Sequence, residues 1–159
     1  MHPTTARVAA ALDAANVETE VREFAGATRT AQQAADALGV PVGAIVKSLC
    51  FVADGEPVMA LVSGSNRADL TKLQQALGAS SVTRAGADVV RAATGYAIGG
   101  VPPVGHARPL RMLLGRDLMR YDELWAAAGT PHSVFSIDPI CLFALTGAEL
   151  VDIAGEAES

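Results

Sequence analysis

Lys47 is the first residue whose type and position could do chemistry. It stands in the middle of residues 45–51, a segment that is otherwise apolar apart from Ser48. Arginine is the ordinary cation of this protein, with ten arginines against two lysines. A lysine inside such a segment suggests that a compact, rotatable ammonium group is needed there. The alternative is a lysine on the wet face of a half-buried strand, with its aliphatic stem lying along apolar surface.

The second candidate is the glycine- and proline-rich loop at residues 99–105. Gly99 and Gly100 allow the backbone to approach a ligand closely and to adopt left-handed torsion angles. Pro102 and Pro103 fix the chain that follows and supply no N–H of their own. Such a loop can hold a few N–H donors in place for a carbonyl oxygen or a developing oxyanion. The alternative is a structural turn that joins two elements.

The remaining patterns do not indicate a metal, a cofactor or a catalytic triad. His2, His106 and His132 lack the spacing of a zinc-binding helix, and a Gly-x-Ser-x-Gly nucleophile motif is absent. The glycines around residue 99 match neither a dinucleotide fingerprint nor a phosphate-binding loop. The sequence therefore predicts chemistry that uses no metal and no cofactor.

A basic cluster follows the glycine loop. Its members are Arg108, Arg111, Arg116 and Arg120. Such a cluster can be a docking patch for nucleic-acid phosphates. The alternative is a solvated face of mixed charge, because Asp117 and Asp122 lie in the same stretch.

Length and composition exclude several classes of protein. The chain has 159 residues, of which 50% are hydrophobic and 18% charged, and this predicts one globular domain. A net charge of −5 argues against a protein that coats nucleic acid by bulk charge, so we expect no DNA partner, although contact with the end of an RNA stays open. The apolar runs are too short to span a bilayer and the start lacks a signal-peptide pattern. The short apolar runs therefore predict no membrane partner. Cys50 and Cys141 fit buried thiols in a reducing cytosol, which predicts a cytoplasmic protein.

The elements that must position the candidate residues follow from hydrophobic periodicity and turn signals. Helices are predicted at residues 4–15, 31–38, 69–77, 87–93 and 122–128, and strands at 17–24, 45–53, 57–63, around 82, 110–114 and 134–137. Residues 139–145 and 148–153 close the fold, and residues 155–159 are expected to be frayed. Asp54-Gly55 predicts a hairpin between two strands, so the sheet cannot be purely parallel. We therefore expect a mixed sheet, curled and packed with helices.

Three motifs in this order and spacing resemble the YbaK/EbsC family, which includes the editing domain of bacterial prolyl-tRNA synthetases. They are IVKSL at residues 45–49, DLTKLQQALGA at 69–79 and TGYAIGGVPPVG at 94–105. The resemblance runs from about residue 8 to residue 153. It implies a single α/β domain over residues 1–159, with a mixed, barrel-like sheet surrounded by helices. It also implies hydrolysis of the ester between a wrong amino acid and the 3′-terminal ribose of a tRNA.

The resemblance also implies a set of site residues. Lys47 matches the family's lysine, and residues 99–103 match its Gly-x-x-x-Pro loop, so the implied catalytic residues are Lys47, Gly99, Gly100 and Val101. The implied substrate-binding residues are Phe24, Ser48, Pro102, Pro103 and, by alignment of the late strand, Phe135. His132 precedes that strand and is a further candidate for the same pocket, without a motif match. Some members carry an acidic residue where this sequence has Phe135, and Asp138 lies three positions on. Arg108 and Arg111 are candidates for contact with tRNA.

The implied activity is trans-editing of mischarged tRNA, with tRNA-Pro carrying cysteine, alanine or serine as the expected substrate. An aminoacyl ester is already activated, so a deacylase needs no strong nucleophile, and water and the neighbouring ribose hydroxyl can serve. The N–H groups at residues 99–101 would stabilise the oxyanion, and Lys47 would anchor the terminal phosphate or the substrate carbonyl. The expected partners are the mischarged tRNA 3′ end and prolyl-tRNA synthetase. Two rivals stay open: a hydrolase of another small ester or thioester, and a binding module that has lost turnover.

Overall fold

The computed structural model describes residues 2–26 and 30–157. Its helices are α1 Pro3–Ala14, α2 Ala31–Leu38, α3 Leu70–Leu77, α4 Ala87–Thr94 and α5 Pro139–Thr146, with short 3-10 turns at Val42–Ala44 and Arg116–Arg120. Its strands are β1 Val21–Glu23, β2 Ile45–Ala53, β3 Glu56–Ser63, β4 Asn66–Ala68, β5 Val82–Arg84, β6 Arg111–Gly115, β7 Leu124–Ala127, β8 Ser133–Ile137, β9 Glu149–Val151 and β10 Ala154–Ala157.

Eight strands form one mixed sheet, which confirms the predicted fold class. The strand order is β1-β8-β7-β2-β3-β6-β9, and β5 pairs with the far end of β2. The pairs β2–β7, β3–β6 and β6–β9 are parallel, and the other pairs are antiparallel. Within the described residues β1 and β9 are end strands that do not pair with each other, so the sheet is open and the expected barrel-like closure was wrong.

Two further predictions about elements were wrong. Residues 122–128 were expected to be helical, but Leu124–Ala127 is strand β7. It lies between β2 and β8, and its residues Leu124, Trp125 and Ala126 are buried, so tertiary burial overrode local helix propensity. Residues 155–159 were expected to be frayed, but Ala154–Ala157 forms β10, which pairs with β4, and residues 158–159 lie outside the described residues. The predicted strand at residues 17–24 is shorter, Val21–Glu23.

Local capping signals begin and end the helices beside the sheet. Thr30 Oγ1 accepts a hydrogen bond from the Gln33 amide at 3.1 Å, which begins α2, and Gly39 ends the helix in a left-handed conformation. Asp138 Oδ1 accepts from the Cys141 amide at 2.8 Å in the same way. Asp138 is therefore an N-cap of α5, which explains a carboxylate at that position without any role in binding.

Strand β2 carries the central asymmetry of the fold. Along one edge it pairs with β3 from Val46 to Ala53 without interruption. Along its other edge β7 pairs only with Ile45 and Val46, and β5 pairs only with residues 51–53. Among the described residues, no strand pairs with residues 47–50 on that edge. The sheet is thus split beside the lysine-bearing motif.

The core lies on both faces of this sheet. One cluster packs around Met59, Leu61 and Leu114 on the face covered by α1, α4 and α5. A second packs around Phe51 and α3 on the opposite face, and a smaller third cluster joins α2 to β7 and β8. None of the helices in the described part of the chain is both long and apolar enough to cross a membrane.

Candidate functional site

A cavity of about 460 Å³ lies at the split in the sheet. Residues 45–50 of β2 form part of its wall. Parts of β7, β8, α2 and α4, the end of β5 and two loops form the rest. Its lining residues outside β2 are Thr30, Ala31, Ala34, Arg84, Ala85, Val90, Ile98, Gly99, Val101, Trp125, Ala126, Ala127, Thr130, Pro131, Ser133 and Val134. The wall is mostly apolar, with a few polar groups at defined positions, as is usual in sites for small molecules.

Lys47 and the glycine loop meet at this cavity. Lys47 is half-buried on β2, and its Nζ donates to the main-chain carbonyl of Asn66. Gly99 and Val101 line the same cavity from the loop after α4. The two motifs lie roughly fifty residues apart in the sequence, and the split sheet brings them to one site.

The charge of the cavity wall is opposite to that of the whole protein. Lys47 and Arg84 line it, and the described lining residues include no carboxylate. Arg84 is exposed on β5, with its guanidinium 5.8 Å from the centre of the Phe51 ring. Because the chain as a whole carries −5, this local excess of positive charge favours an anionic ligand at the cavity.

Two buried polar atoms at the cavity have no hydrogen-bond partner. Among the described residues, the buried side-chain nitrogen or oxygen atoms without a partner are Ser48 Oγ and Trp125 Nε1. Both residues line the cavity. A buried polar group costs free energy unless it is paired, so such atoms are typical of a site that a ligand completes.

The diglycine forms a tight turn at the cavity rim. The Gly100 N–H donates to the Ala97 carbonyl at 3.1 Å, and Gly99 has φ +94°. This is the type II arrangement, which favours glycine at its third position. The Gly100 N–H is therefore already used inside the turn, which leaves the N–H groups of Gly99 and Val101 as candidate donors for an oxyanion.

Gly100 is a glycine because of packing. A Cβ on Gly100 would lie 2.8 Å from Thr130 Cα, closer than real Cβ atoms approach backbone. The loop at Thr130 is itself held by a hydrogen bond of 2.6 Å between Thr130 Oγ1 and Ser133 Oγ. Gly100 thus fixes the glycine loop against the Thr130 loop, and both line the mouth of the cavity.

The base of the glycine loop is tied by buried hydrogen bonds. Tyr96 is fully buried and its hydroxyl donates to the Gly105 carbonyl at 2.8 Å. His106 Nε2 lies 2.7 Å from the Pro102 carbonyl, and burial lowers the pKa of His106. The neutral ring donates to that carbonyl, so the loop between them is held without a charge inside it.

The other residues implied as substrate contacts lie outside the cavity wall. Phe24 packs against the third core cluster, and its N–H donates at 2.7 Å to the carbonyl of His132, which is exposed. Phe135 is fully buried in the main core. Pro102 and Pro103 are buried behind the glycine turn, and Pro103 lines a separate depression.

Arg108 and Arg111 also lie away from the cavity. Both line a separate pocket of about 550 Å³ between the β2–β3 hairpin and β6. Arg111 forms two hydrogen bonds with the Glu149 carboxylate, at 2.8 and 3.1 Å, and the same pairing lowers the pKa of Glu149. The arginine that does line the cavity, Arg84, lies in a short strand that no sequence motif marked.

Cys50 lines the cavity as well. Burial raises the pKa of its thiol, which therefore stays protonated at neutral pH. Its carbonyl accepts a hydrogen bond from the Ala85 amide at 3.1 Å, which places Cys50 where β5 meets β2. Over the described part of the chain, no group of three or more His, Cys, Asp or Glu side chains is placed to hold a metal ion.

Comparison with known proteins assigns the family. The model of the aminoacyl-tRNA editing domain matches residues 25–143, three quarters of the chain. This protein belongs to the aminoacyl-tRNA editing domain family. The match confirms the resemblance to the YbaK/EbsC family and spans Lys47, the split in the sheet and the glycine loop.

Individual relatives agree with this assignment. A solved structure described as a candidate trans-editing enzyme for prolyl-tRNA synthetase is 46% identical, with a TM-score of 0.93 over 98% of this chain and 99% of that one. EbsC of Enterococcus faecalis, named as a candidate Cys-tRNA(Pro)/Cys-tRNA(Cys) deacylase, is 29% identical over 78% of this chain and 76% of its own length. The proline–tRNA ligase of Nitratidesulfovibrio vulgaris is 46% identical over 48% of this chain, which corresponds to 13% of the ligase.

The cavity of this editing domain presents several groups that can donate hydrogen bonds or positive charge to a ligand. Its wall offers an ammonium, a guanidinium, main-chain N–H groups of the glycine loop and two unpartnered polar side-chain atoms. Sequence reasoning found Lys47, Ser48 and the loop, and it missed Arg84, Trp125 and Thr130. No local signal marks those three, because chain topology alone brings them to β2.

Proposed function

We propose that this editing domain is a trans-acting hydrolase that removes a small, wrongly attached amino acid from the 3′ end of tRNA-Pro. The observation that carries the proposal is that Lys47, Ser48 and Gly99 line one cavity in a chain of the aminoacyl-tRNA editing family. The catalytic unit is a single domain over residues 1–159 with its core at residues 8–153. We place it in the cytoplasm, where its tRNA substrate is charged.

The chemistry follows from the ester itself. An aminoacyl ester needs positioning and stabilisation of the tetrahedral oxyanion more than it needs a strong nucleophile. Water, assisted by the neighbouring ribose hydroxyl, attacks the ester carbon without a metal. Gly99 and Val101 line the cavity, and we expect their N–H groups to donate to that oxygen, while the Gly100 N–H is used inside the turn that holds them. Lys47 anchors the terminal phosphate or the substrate carbonyl.

The tRNA end is held by the positive charges of the wall. Arg84 and Lys47 supply them at the cavity, and Arg108 and Arg111 extend the contact to phosphates further along the acceptor strand. Arg111 is paired with Glu149, so Arg84 and Arg108 carry the greater part of this contact. The relatives named for prolyl-tRNA synthetase and Cys-tRNA(Pro) deacylation support tRNA-Pro as the substrate and the synthetase as a partner.

Selectivity rests on size. A hydrophobic pocket distinguishes side chains that differ by one methylene by only about 1–3 kcal/mol, so a small pocket acts by excluding the larger cognate residue. Alanine, cysteine and serine are admitted, and proline is excluded.

Deacylation of defined substrates tests the proposal. The purified full chain is incubated with alanyl-, cysteinyl-, seryl- and prolyl-tRNA-Pro and with simple amino-acid esters, and release of the amino acid is followed. We expect the hydrolysis rate of at least one small aminoacyl-tRNA to exceed that of prolyl-tRNA by about tenfold or more. Tenfold is the lower end of the discrimination that one methylene group gives. Equal turnover of simple esters would favour the rival ester hydrolase. Binding of tRNA without release above the spontaneous rate would favour a binding module.

A further inference from the structure

The open edge of β2 presents main-chain groups to the cavity. The Ile45 carbonyl accepts from the Gly64 amide at 2.7 Å on the β3 side, and the Cys50 carbonyl accepts from the Ala85 amide at 3.1 Å on the opposite side. Successive residues of a strand direct their N–H and C=O groups to alternate edges. Ser48 therefore directs both its N–H and its C=O to the same edge as Cys50, toward the split.

Between β7 and β5, the split leaves room for about one residue to pair with this edge of β2. On one side β7 pairs last with Val46, and on the other β5 pairs first with Phe51. Within residues 2–26 and 30–157 no strand pairs with Ser48 on this edge, and the Ser48 Oγ is buried without a partner. Residues 45–50 all line the cavity, so a molecule that enters it meets this edge.

An aminoacyl group matches the length of the split. In an antiparallel pair, two opposed residues exchange both hydrogen bonds, each through its own N–H and C=O. An aminoacyl ester carries one N–H donor, the α-ammonium, and one C=O acceptor, the ester carbonyl, on the same residue. It therefore has the donor and the acceptor of a single strand residue, and it can form both hydrogen bonds of one pair without further residues on either side.

We infer that the aminoacyl group of the substrate binds the open edge of β2 as a one-residue strand opposite Ser48. The α-ammonium donates to the Ser48 carbonyl, and the ester carbonyl accepts from the Ser48 N–H. The inference rests on the proposed function and adds to it the group that orients the ester. Recognition of this kind uses main-chain contacts for position and leaves the side-chain pocket to select by size.

This contact has a consequence for the reaction. The water oxygen forms a bond to the ester carbon, and the carbonyl electron pair moves to the oxygen that the Ser48 N–H contacts. When the carbon–oxygen bond to the ribose breaks, that pair returns to re-form the carbonyl, and the ribose oxygen takes up the proton that the water has lost. The Ser48 N–H is therefore a catalytic donor, because its bond strengthens as the oxygen becomes negative.

A pair of substitutions at one position tests the donor. Ser48→Pro removes the N–H, and proline is tolerated in a strand whose N–H faces an unpaired edge. Ser48→Ala keeps the N–H and serves as the matched control, because both variants lack the hydroxyl. We expect Ser48→Pro to have kcat/KM on the order of 10²–10³ below that of Ser48→Ala, the loss typical of one oxyanion donor. Equal kcat/KM in the two folded variants would overturn the inference.

A second measurement uses the wild-type chain and covers the case in which Ser48→Pro does not fold. Alanyl-tRNA is compared with propionyl-tRNA, which lacks the α-ammonium, and each enzymatic rate is divided by the spontaneous hydrolysis rate of that ester. We expect the acceleration to fall about tenfold or more without the ammonium, as for a lost hydrogen bond to a charged group. Equal acceleration of both esters would overturn the inference. If the wild type deacylates none of the mischarged tRNAs, the proposed function itself fails.

Discussion

The two edges of strand β2 show how one segment serves both stability and function. On the β3 edge every residue from Val46 to Ala53 has a partner, and the hairpin packs into two core clusters. On the other edge the pairing stops after Val46 and resumes at Phe51, and the cavity lies in the interval. The paired edge satisfies its polar groups internally, whereas the split edge leaves them for a ligand.

The same contrast holds for the charges beside each edge. Beside the paired edge, Arg111 on β6 forms an ion pair with Glu149 on β9, and Lys72 on α3 forms one with Asp152. At the split, Lys47 and Arg84 line a wall whose described residues include no carboxylate. An overall acidic protein thus keeps its local positive charge where its sheet is open. The sheet is thus divided into a structural half and a half that we expect to bind the ligand.

The largest effect is expected from Lys47→Ala, with Lys72→Ala as the matched control because it removes the only other lysine. Deacylation by Lys47→Ala should fall on the order of 10²–10³, as for loss of one charged group from a preorganised site. Its free energy of unfolding should change by on the order of 1 kcal/mol, the usual size for a lost hydrogen bond such as the one to the Asn66 carbonyl. Lys72→Ala should keep full activity. Full deacylation by folded Lys47→Ala would remove the lysine from the mechanism.

The next effect concerns the packing of the two loops at the cavity mouth. Gly100→Ala should lower the free energy of unfolding by about 1–3 kcal/mol, because its Cβ would collide with the Thr130 backbone. Gly86→Ala is the control, since a Cβ there meets nothing within 4 Å, and it should change stability by less than about 1 kcal/mol. Urea unfolding of both variants measures the difference. Similar midpoints would show that Gly100 is not fixed by Thr130.

A smaller effect is expected on the affinity for tRNA. A plot of the logarithm of the tRNA association constant against the logarithm of salt concentration has a negative slope. Arg84→Ala should make that slope shallower by about 0.7, the value for one lost single-strand phosphate contact. Arg91→Ala, an exposed arginine on α4 outside the cavity wall, should leave the slope unchanged. Arg108→Ala, measured alongside, shows whether the contact extends beyond the cavity. An unchanged slope in Arg84→Ala would contradict the assignment of the positive wall to the tRNA end.

The smallest effect belongs to the paired half of the sheet. The Arg111 guanidinium lowers the pKa of Glu149, so the pair stabilises the fold above the unfolded pKa of glutamate, about 4.3, and the contribution is lost as pH falls through the lower folded pKa. Glu149→Gln should therefore cost less than about 1 kcal/mol at pH 7, because the pair is half-exposed. The midpoint temperatures of wild type and variant should converge once the pH lies below the lowered pKa of Glu149. A difference that persists there would assign the effect to packing.

Much of the fold could be predicted because its signals are local. Thr30 and Gly39 bound α2, and Asp54-Gly55 turns β2 into β3, as capping and turn chemistry indicate. The Leu124–Ala127 strand could not be predicted, because its local propensity is helical and only burial between β2 and β8 makes it extended. The same strand supplies Trp125 to the cavity, so predicting a helix there also left Trp125 out of the predicted site.

The sequence by itself determined which groups are available: one lysine in an apolar strand, a hydroxyl beside it, and a diglycine turn stiffened by prolines. Those properties reside in side-chain chemistry and backbone freedom, which are local. Only the tertiary structure decided where β7 and β5 stop pairing with β2, and this created the cavity and added Arg84 to its wall. Strand pairing depends on contacts between residues far apart in the chain, and no short motif encodes where a ladder ends.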